Sequence, residues 1–242
     1  AKRIYDQALG AGAGYESARV ERAERRQNGF ALHTDRGIFE GRGLILATGA
    51  RSRPLGLARE EALTGHGVSY CAACDGGLYL GKNVAVVGGG NTALLDCLLL
   101  AQGCGRVYLI HRRSSFRGEK ALLEQVQALH NVEIRTDASV TELLGPERLS
   151  GIRLQSGETL AVDALFIAVG RQPRTEPFAR LVELDPGGYI RAGEDCRTTA
   201  QGIFCAGDCR TKSTRQLCTA AADGAAAALG LCEWLSNEKK QA

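Results

Sequence analysis

The most reactive constellation in the chain is Cys71-Ala72-Ala73-Cys74 followed directly by Asp75. Cysteines three positions apart at the start of a helix lie within disulfide reach, and a helix N-terminus lowers a thiol pKa toward the thiolate that exchange chemistry needs. Asp75 adds a carboxyl group that could move a proton during that exchange, provided burial raises its pKa. The same spacing also suits half of a structural zinc site. The rest of such a site would have to come from Cys205 and Cys209, far down the chain and not in the same pattern. Cys97, Cys104, Cys196, Cys218 and Cys232 read as small buried hydrophobes.

A second chemistry is written in glycines. Gly88-Gly89-Gly90-Asn91-Thr92-Ala93 fits G-x-G-x-x-A, directly after the apolar run Asn83–Val87 and at the opening of a leucine-rich helix. The first glycine makes the turn, Gly90 lets a pyrophosphate approach the backbone, and Ala93 permits close helix–strand packing. Phosphates then sit on the free N–H groups around Asn91 and Thr92. A glycine-rich turn without a ligand would share this pattern. Gly10-Ala11-Gly12-Ala13-Gly14 follows a helical segment and not a strand, so it carries no such expectation. The end of the next strand distinguishes the dinucleotides. An NAD site wants an acidic residue there, but the chain has His111-Arg112-Arg113-Ser114-Ser115-Phe116-Arg117. Three guanidiniums and two hydroxyls suit a 2′-phosphate, so the expected cofactor is NADP(H). A solvated basic surface is the alternative. Gly207-Asp208 ends another apolar strand, where a carboxylate could accept hydrogen bonds from a polyol such as a ribityl chain or simply cap a helix. Arg215-Gln216 is a weaker polar pair, and His33, His66 and His130 read as structural or surface residues.

These groups need elements to position them. Asn83–Val87, the glycine turn, a helix from Asn91 to Gln102 and the strand Arg106–Ile110 make a βαβ unit, and hence a parallel sheet. A helix over 119–130 and a strand over 132–135 follow, then meander-like strands to Val169. Residues 2–17 read as helical, 20–46 as hairpin arms and a buried strand ending at Thr48-Gly49, and 217–235 as a closing helix. The chain has 242 residues, 44% hydrophobic and 24% charged, which describes an ordinary globular protein. A net charge of +3 gives no reason to expect nucleic-acid binding. No apolar run approaches the roughly 18 residues needed to span a bilayer. The N-terminus lacks a signal-peptide core, so a cytoplasmic location is expected. An odd set of nine cysteines in a reducing compartment argues against a full disulfide framework.

A hydride donor beside a redox dithiol calls for a relay, and flavin is the usual one. In Ala47-Thr48-Gly49-Ala50, Gly67–Gly76, Gly88–Ala93, His111-Arg112-Arg113 with Phe116-Arg117, Gly207-Asp208 and Arg215-Gln216, taken in order, the chain resembles the low-molecular-weight thioredoxin reductases. These are flavoproteins of the pyridine nucleotide–disulfide oxidoreductase group. The resemblance implies an α/β fold of two Rossmann-like dinucleotide-binding domains with three-layer ββα/βα architecture. In it, an NADP domain (57–173) carrying the C-x-x-C is inserted into a discontinuous FAD domain (1–56 and 174–242). It implies electron flow from NADPH through FAD to a Cys71–Cys74 disulfide and on to thioredoxin, in a homodimer with neither nucleic acid nor membrane as partner. Cys74 would face the flavin, Cys71 would attack the thioredoxin disulfide, and Asp75 would serve as acid and base. Arg112, Arg113 and Arg117, beside His111, would hold the 2′-phosphate. Thr48, Gly49, Gly207, Asp208, Arg215 and Gln216 fall on the flavin side, with Asp208 at the ribityl chain and Gln216 near the isoalloxazine. Segments near Leu55-Gly56-Leu57 and Gly170–Pro173 would be hinges. The family opens with its own glycine-turn unit for the ADP half of FAD, and Ala1 aligns well inside the family pattern, after the place of that unit. The FAD domain is therefore expected to be N-terminally incomplete. Reduction of another dithiol protein, or NADP binding without turnover, are the alternatives.

Overall fold

A computed structural model describes residues 2–241. Two compact units divide the chain, one formed by Ala1–Ala50 with Pro173–Ala242 and the other by Arg51–Gln172. The discontinuous unit begins with α1 (Lys2–Gly10), which buries no residue. The helix stops at Gly10, short of the residue 17 expected from sequence, because Gly12 adopts φ +89° and turns the chain out of register. An antiparallel meander follows, β1 (Val20–Arg26), β2 (Gly29–Thr34) and β3 (Gly37–Gly41), then β4 (Leu44–Leu46).

The inserted unit is entered through β5 (Ala50–Ser52). It then contains α2 (Glu60–Leu63), β6 (Val68–Ser69), α3 (Ala72–Asp75), β7 (Asn83–Val87), α4 (Asn91–Ala101) and β8 (Arg106–Ile110). After these come α5 (Lys120–Gln127), β9 (Val132–Arg135), β10 (Val140–Leu144), β11 (Gly151–Leu154), β12 (Thr159–Leu160), β13 (Ala164–Ile167) and the exit strand β14 (Arg171–Pro173). Five strands form a parallel sheet in the order β6-β13-β7-β8-β9. The pleat sends Val84, Val86, Val107, Leu109 and Phe166 into the cluster that includes α4 residues, and Ala85, Val87, Ile110, Leu165 and Ile167 into the cluster shared with β10–β12. A parallel sheet covered on both faces needs apolar residues at successive positions, which is why Val84–Val87 is a continuous run and does not alternate. The meander expected to continue to Val169 ends at β12. β13 instead returns as a central parallel strand between β6 and β7.

The chain then re-enters the first unit, where β15 (Ile203–Cys205) pairs in parallel with β4, placing Cys205 opposite Leu46. Ile203 and Cys205 pack with Phe30, Leu44 and Leu46, while Phe204 and Ala206 pack with Ala227 of α6 (Leu217–Gln241). A side chain at Gly230 would strike the Phe204 ring, so this glycine lets α6 lie close on β15. Among the described residues no helix is long and apolar enough to cross a membrane.

Candidate functional site

Cys71 and Cys74 are joined by a disulfide with their Cα atoms 5.3 Å apart. The amides of Cys74 and Asp75 both donate to the Cys71 carbonyl, at 3.2 and 3.1 Å, winding the single turn that brings the sulfurs together. With only four residues, α3 offers one turn of peptide dipoles to the thiols. Ser69 supplies what the sequence reading missed. It is buried at the end of β6, its Oγ accepts the Cys71 N–H at 3.1 Å, and its O–H donates to Asp75 Oδ2 at 2.7 Å. One hydroxyl thus ties the cysteine backbone to the carboxylate. Cys74 is exposed, whereas Cys71 and Asp75 are half-buried.

The three glycines after β7 serve three different needs. A side chain at Gly88 would run into the Ala168 carbonyl, and one at Gly89 would overlap the His111 ring. At Gly90 it would meet nothing within 4 Å, so this is the position that leaves the backbone open to a ligand. Ala93 is fully buried in the same cluster as Val84 and Val86. The arginine loop folds back on the glycine turn, with the amides of Arg117 and Gly118 donating to Gly89 O at 2.7 and 3.0 Å. His111 is buried, its Nε2 lies 3.0 Å from the Ser115 carbonyl, and its ring stacks on Phe116 with centroids 4.8 Å apart. A cleft of about 380 Å³ opens there, lined by Arg53, Gly88, Gly89, His111, Arg112 and Arg117 among others. Arg113 is exposed and does not line it, and Arg53 joins the lining without any sequence signal. Among the described residues, Arg112, Arg113 and Arg117 form no ion pair. The Asn91 side chain is engaged with Glu119, donating to its Oε1 at 2.7 Å and accepting its N–H at 2.8 Å, which leaves the backbone amide as its free contribution. Thr92 is exposed. Farther along α4, burial pushes the Asp96 carboxyl up to about 6, against the pull of Arg171.

In the discontinuous unit, parallel pairing brings the C-terminal ends of β4 and β15 together, and with them Thr48-Gly49 and Gly207-Asp208. That edge is where ligands meet parallel sheets. Gly49 and Gly207 adopt φ +68° and +79°, conformations that favour glycine. The Arg215 guanidinium sits 4.2 Å from the centroid of the Tyr189 ring and its Nε donates to the Asp208 carbonyl at 3.4 Å. The Gln216 amide donates to Thr219 Oγ1 at 3.2 Å.

Behind this turn lies a buried ion cluster absent from the sequence reading. Asp223 accepts from Arg210 at 2.8 and 2.9 Å, from Lys212 Nζ at 2.7 Å and from the Gly207 amide at 2.9 Å. The Arg210 hydrogen bond holds the Asp223 carboxyl well below the usual carboxylate range, and the same bond raises Arg210. The cluster fixes Gly207 through its amide. Cys97, Cys104 and Cys196 are buried as expected, but Cys218 and Cys232 are exposed, because both fall on the outer side of α6.

The chain matches the pyridine nucleotide-disulphide oxidoreductase family over residues 11–225. It is 41% identical over 192 residues to a thioredoxin reductase of Mycoplasma genitalium, an alignment covering 77% of this chain and 61% of that protein. It is 37% identical over 242 residues to a thioredoxin reductase of Treponema pallidum, covering 98% of this chain and 78% of the relative. The crystal structure of thioredoxin reductase from Streptococcus pyogenes superposes with a TM-score of 0.91 at 32% identity, over 98% of this chain and 79% of that one. Against the first relative, and against a Mycolicibacterium smegmatis thioredoxin reductase at 66%, the chain spans a little under two thirds of the curated protein's length.

Proposed function

The chain belongs to the pyridine nucleotide-disulphide oxidoreductase family, in its thioredoxin reductase group, and from that premise we propose that it reduces the disulfide of thioredoxin, or of a thioredoxin-like dithiol protein, at the expense of NADPH with FAD as second cofactor. The observation that carries the reading is a disulfide, Cys71–Cys74, built into the same compact unit as an arginine-lined cleft on a glycine turn.

The cleft suits NADP(H). Gly90 is open where a pyrophosphate would lie, and the α4 amides at Asn91 and Thr92 point their dipoles there. Arg112 and Arg117, with no carboxylate to neutralise them, would grip the 2′-phosphate, and Arg113 would add charge from outside the cleft. His111, packed on Phe116, would hold the arginine loop in place more than touch phosphate. On the other unit, the hydroxyl and carboxylate types of Thr48 and Asp208, on the turns made by Gly49 and Gly207, suit the polyol of FAD, and Arg215 and Gln216 follow along the chain. A bound flavin supplies a two-electron relay between a hydride donor and a disulfide.

In the partner reaction the reduced Cys71 thiolate would attack one sulfur of the partner disulfide and form a mixed disulfide. The partner's second sulfur leaves as a thiolate and takes a proton, for which Asp75 is placed. Cys74 then attacks Cys71, re-forming the bond seen here and releasing the partner as a dithiol. Ser69 keeps Asp75 beside the pair through its 2.7 Å hydrogen bond. An apolar groove of about 280 Å³ beside α3, including Ala73, Gly77, Leu80 and Leu99, supports a protein as the partner. The reading takes the protein as a cytoplasmic homodimer.

An absorbance spectrum over about 300–550 nm, a window covering oxidised flavin, taken before and after anaerobic NADPH, tests this. The expected result is a flavin band that NADPH bleaches and that oxidised thioredoxin restores. A chain that binds NADPH but shows no such band would be a nucleotide-binding dithiol unit without turnover.

A further inference from the structure

A second pair of cysteines lies in the discontinuous unit, apart from the disulfide already described. Cys205 ends β15 and Cys209 closes the 3-10 turn Gly207–Cys209, and both are fully buried. Gly207, at φ +79°, reverses the chain between them, so the two sulfurs face each other at 3.5 Å. Their surroundings differ. Cys209 Sγ sits 3.5 Å from Cys205 Sγ, with either thiol able to donate across the gap, and beside Thr48 and Gly49. Its S–H also donates to the Ala206 carbonyl at 3.4 Å and to that of Leu46 at 3.5 Å. The Cys205 bond and the Thr48–Gly49 donors lower the Cys209 thiol to about 6. The same bond, with burial, pushes Cys205 up. The two sulfurs can share a proton across the 3.5 Å gap, and Cys209 is the one whose thiol is lowered. Cys97 gives the contrast of an inert buried thiol, pushed up to about 12 by burial with no such donors. Thr48 is exposed, so solvent lies one side chain away from the Cys209 sulfur.

We propose that Cys205 and Cys209 form a second dithiol, oxidised reversibly by hydrogen peroxide to a disulfide that clamps the Gly207–Asp208 turn. The Cys209 thiolate attacks one oxygen of the peroxide and the O–O bond breaks. The departing oxygen takes a proton from solvent and leaves as water, and Cys209 becomes a sulfenic acid. The Cys205 sulfur then attacks the Cys209 sulfur, and the hydroxyl leaves as a second water with the Cys205 proton. Two thiols and one peroxide become one disulfide and two waters. The sulfurs have to close from 3.5 Å to about 2.05 Å, a movement within the range of side-chain rotation. Neither step draws on the proposed reductase reaction.

The test uses the full chain, reduced and freed of reductant, then exposed to graded hydrogen peroxide. Acid quenching, unfolding, alkylation with N-ethylmaleimide and tryptic digestion follow. Cleavage after Arg197 and Arg210 places Cys205 and Cys209 on one peptide and Cys196 on its neighbour. The expected product is the 198–210 peptide with both maleimide adducts lost, lighter than its dithiol form by two hydrogens, and returned to the alkylatable form by dithiothreitol. In Cys205→Ala, dimedone should trap a sulfenic acid on Cys209. The exposed Cys218 and Cys232 serve as internal references. The proposal is overturned if both thiols stay alkylatable at peroxide doses that oxidise those two. It is equally overturned if Cys209 goes to sulfinic acid without a link, or links to Cys196. The wild-type digest decides the matter even if the variant does not fold.

Discussion

Arg112 and Arg117 stand on the cleft wall with no carboxylate beside them, which makes them the residues with most to gain from a bound phosphate. A charge-assisted hydrogen bond contributes about 1.5–3 kcal/mol. Arg112→Ala or Arg117→Ala should therefore raise the Kd for NADPH roughly tenfold to a hundredfold and leave that for NADH nearly unchanged, as read by calorimetry. Equal losses for both nucleotides would place the arginines on something other than the 2′-phosphate. At the disulfide, Cys71→Ser and Cys74→Ser should each abolish reduction of thioredoxin while NADPH affinity stays within about twofold, because neither sulfur lines the cleft. The reactive residues were legible in the sequence because C-x-x-C and G-x-G-x-x-A are local patterns whose neighbours, a following Asp75 and a strand before the glycines, narrow what they can do. Ser69 and Arg53 were not, since a lone serine two residues before a cysteine and an arginine before a proline carry no spacing that points at the site.

Elements held by one buried side chain are the next scale. Glu60 is buried at the start of α2 and accepts from the amides of Leu55, Gly56 and Leu57 at 3.0, 2.8 and 3.0 Å, and from the Tyr70 hydroxyl at 2.6 Å. Burial, then the Glu60 hydrogen bond, pushes the Tyr70 hydroxyl well above the usual phenol range. Leu55–Leu57, a hinge segment by the family resemblance, is fastened to the start of α2 by a carboxylate three residues on from Leu57. Glu60→Ala leaves the amides and the hydroxyl without their acceptor and should cost on the order of 3–5 kcal/mol in urea unfolding. Tyr70→Phe, which removes only one donor, should cost about 1 kcal/mol. A loss under 1 kcal/mol for Glu60→Ala would mean that water replaces the carboxylate and that the segment is loosely held after all. The β7–α4–β8 unit was readable because apolar runs, a glycine turn and leucines at helical spacing agree on one answer. The Glu60 anchor and the Asp223–Arg210–Lys212 cluster were not readable, because charged residues give no periodic signal and their pairing is decided by tertiary packing. The α1 boundary was misread for a different reason. Glycines at 10, 12 and 14 sit among helix-forming residues, and it is the left-handed turn at Gly12 that ends the helix.

At the scale of the whole molecule, the two units carry carboxylates shifted in opposite directions, so acid should act on them with opposite signs. In the discontinuous unit, Asp223 is held low by Arg210, Lys212 and the Gly207 amide. Its contribution is complete above the unfolded aspartate pKa of about 3.9, and it is lost as pH falls below that value toward the lowered folded one. Glu24, lowered by His33 and then by its arginines, shares the sign, but it is partly exposed and solvent screens it. In the inserted unit, Asp96 is raised to about 6 by burial. Its folded form takes up a proton between about 6 and 4, where the unfolded chain does not, so acidification over that window adds stability, by up to about 3 kcal/mol. Hydrogen exchange followed by mass spectrometry from about pH 7 to 3, corrected for intrinsic rates, should then show two courses. Peptides from β7, α4 and β8 gain protection down to about pH 4.5, while peptides from β15 and α6 stay level to about pH 4 and then open. Asp223→Asn removes the counterion of a buried arginine, so it should loosen β15 and α6 already at neutral pH by roughly 3–5 kcal/mol and flatten their acid limb. Opening of both units together at one pH, with the Asn variant following the wild-type curve, would show that stability is set by something other than these two carboxylates.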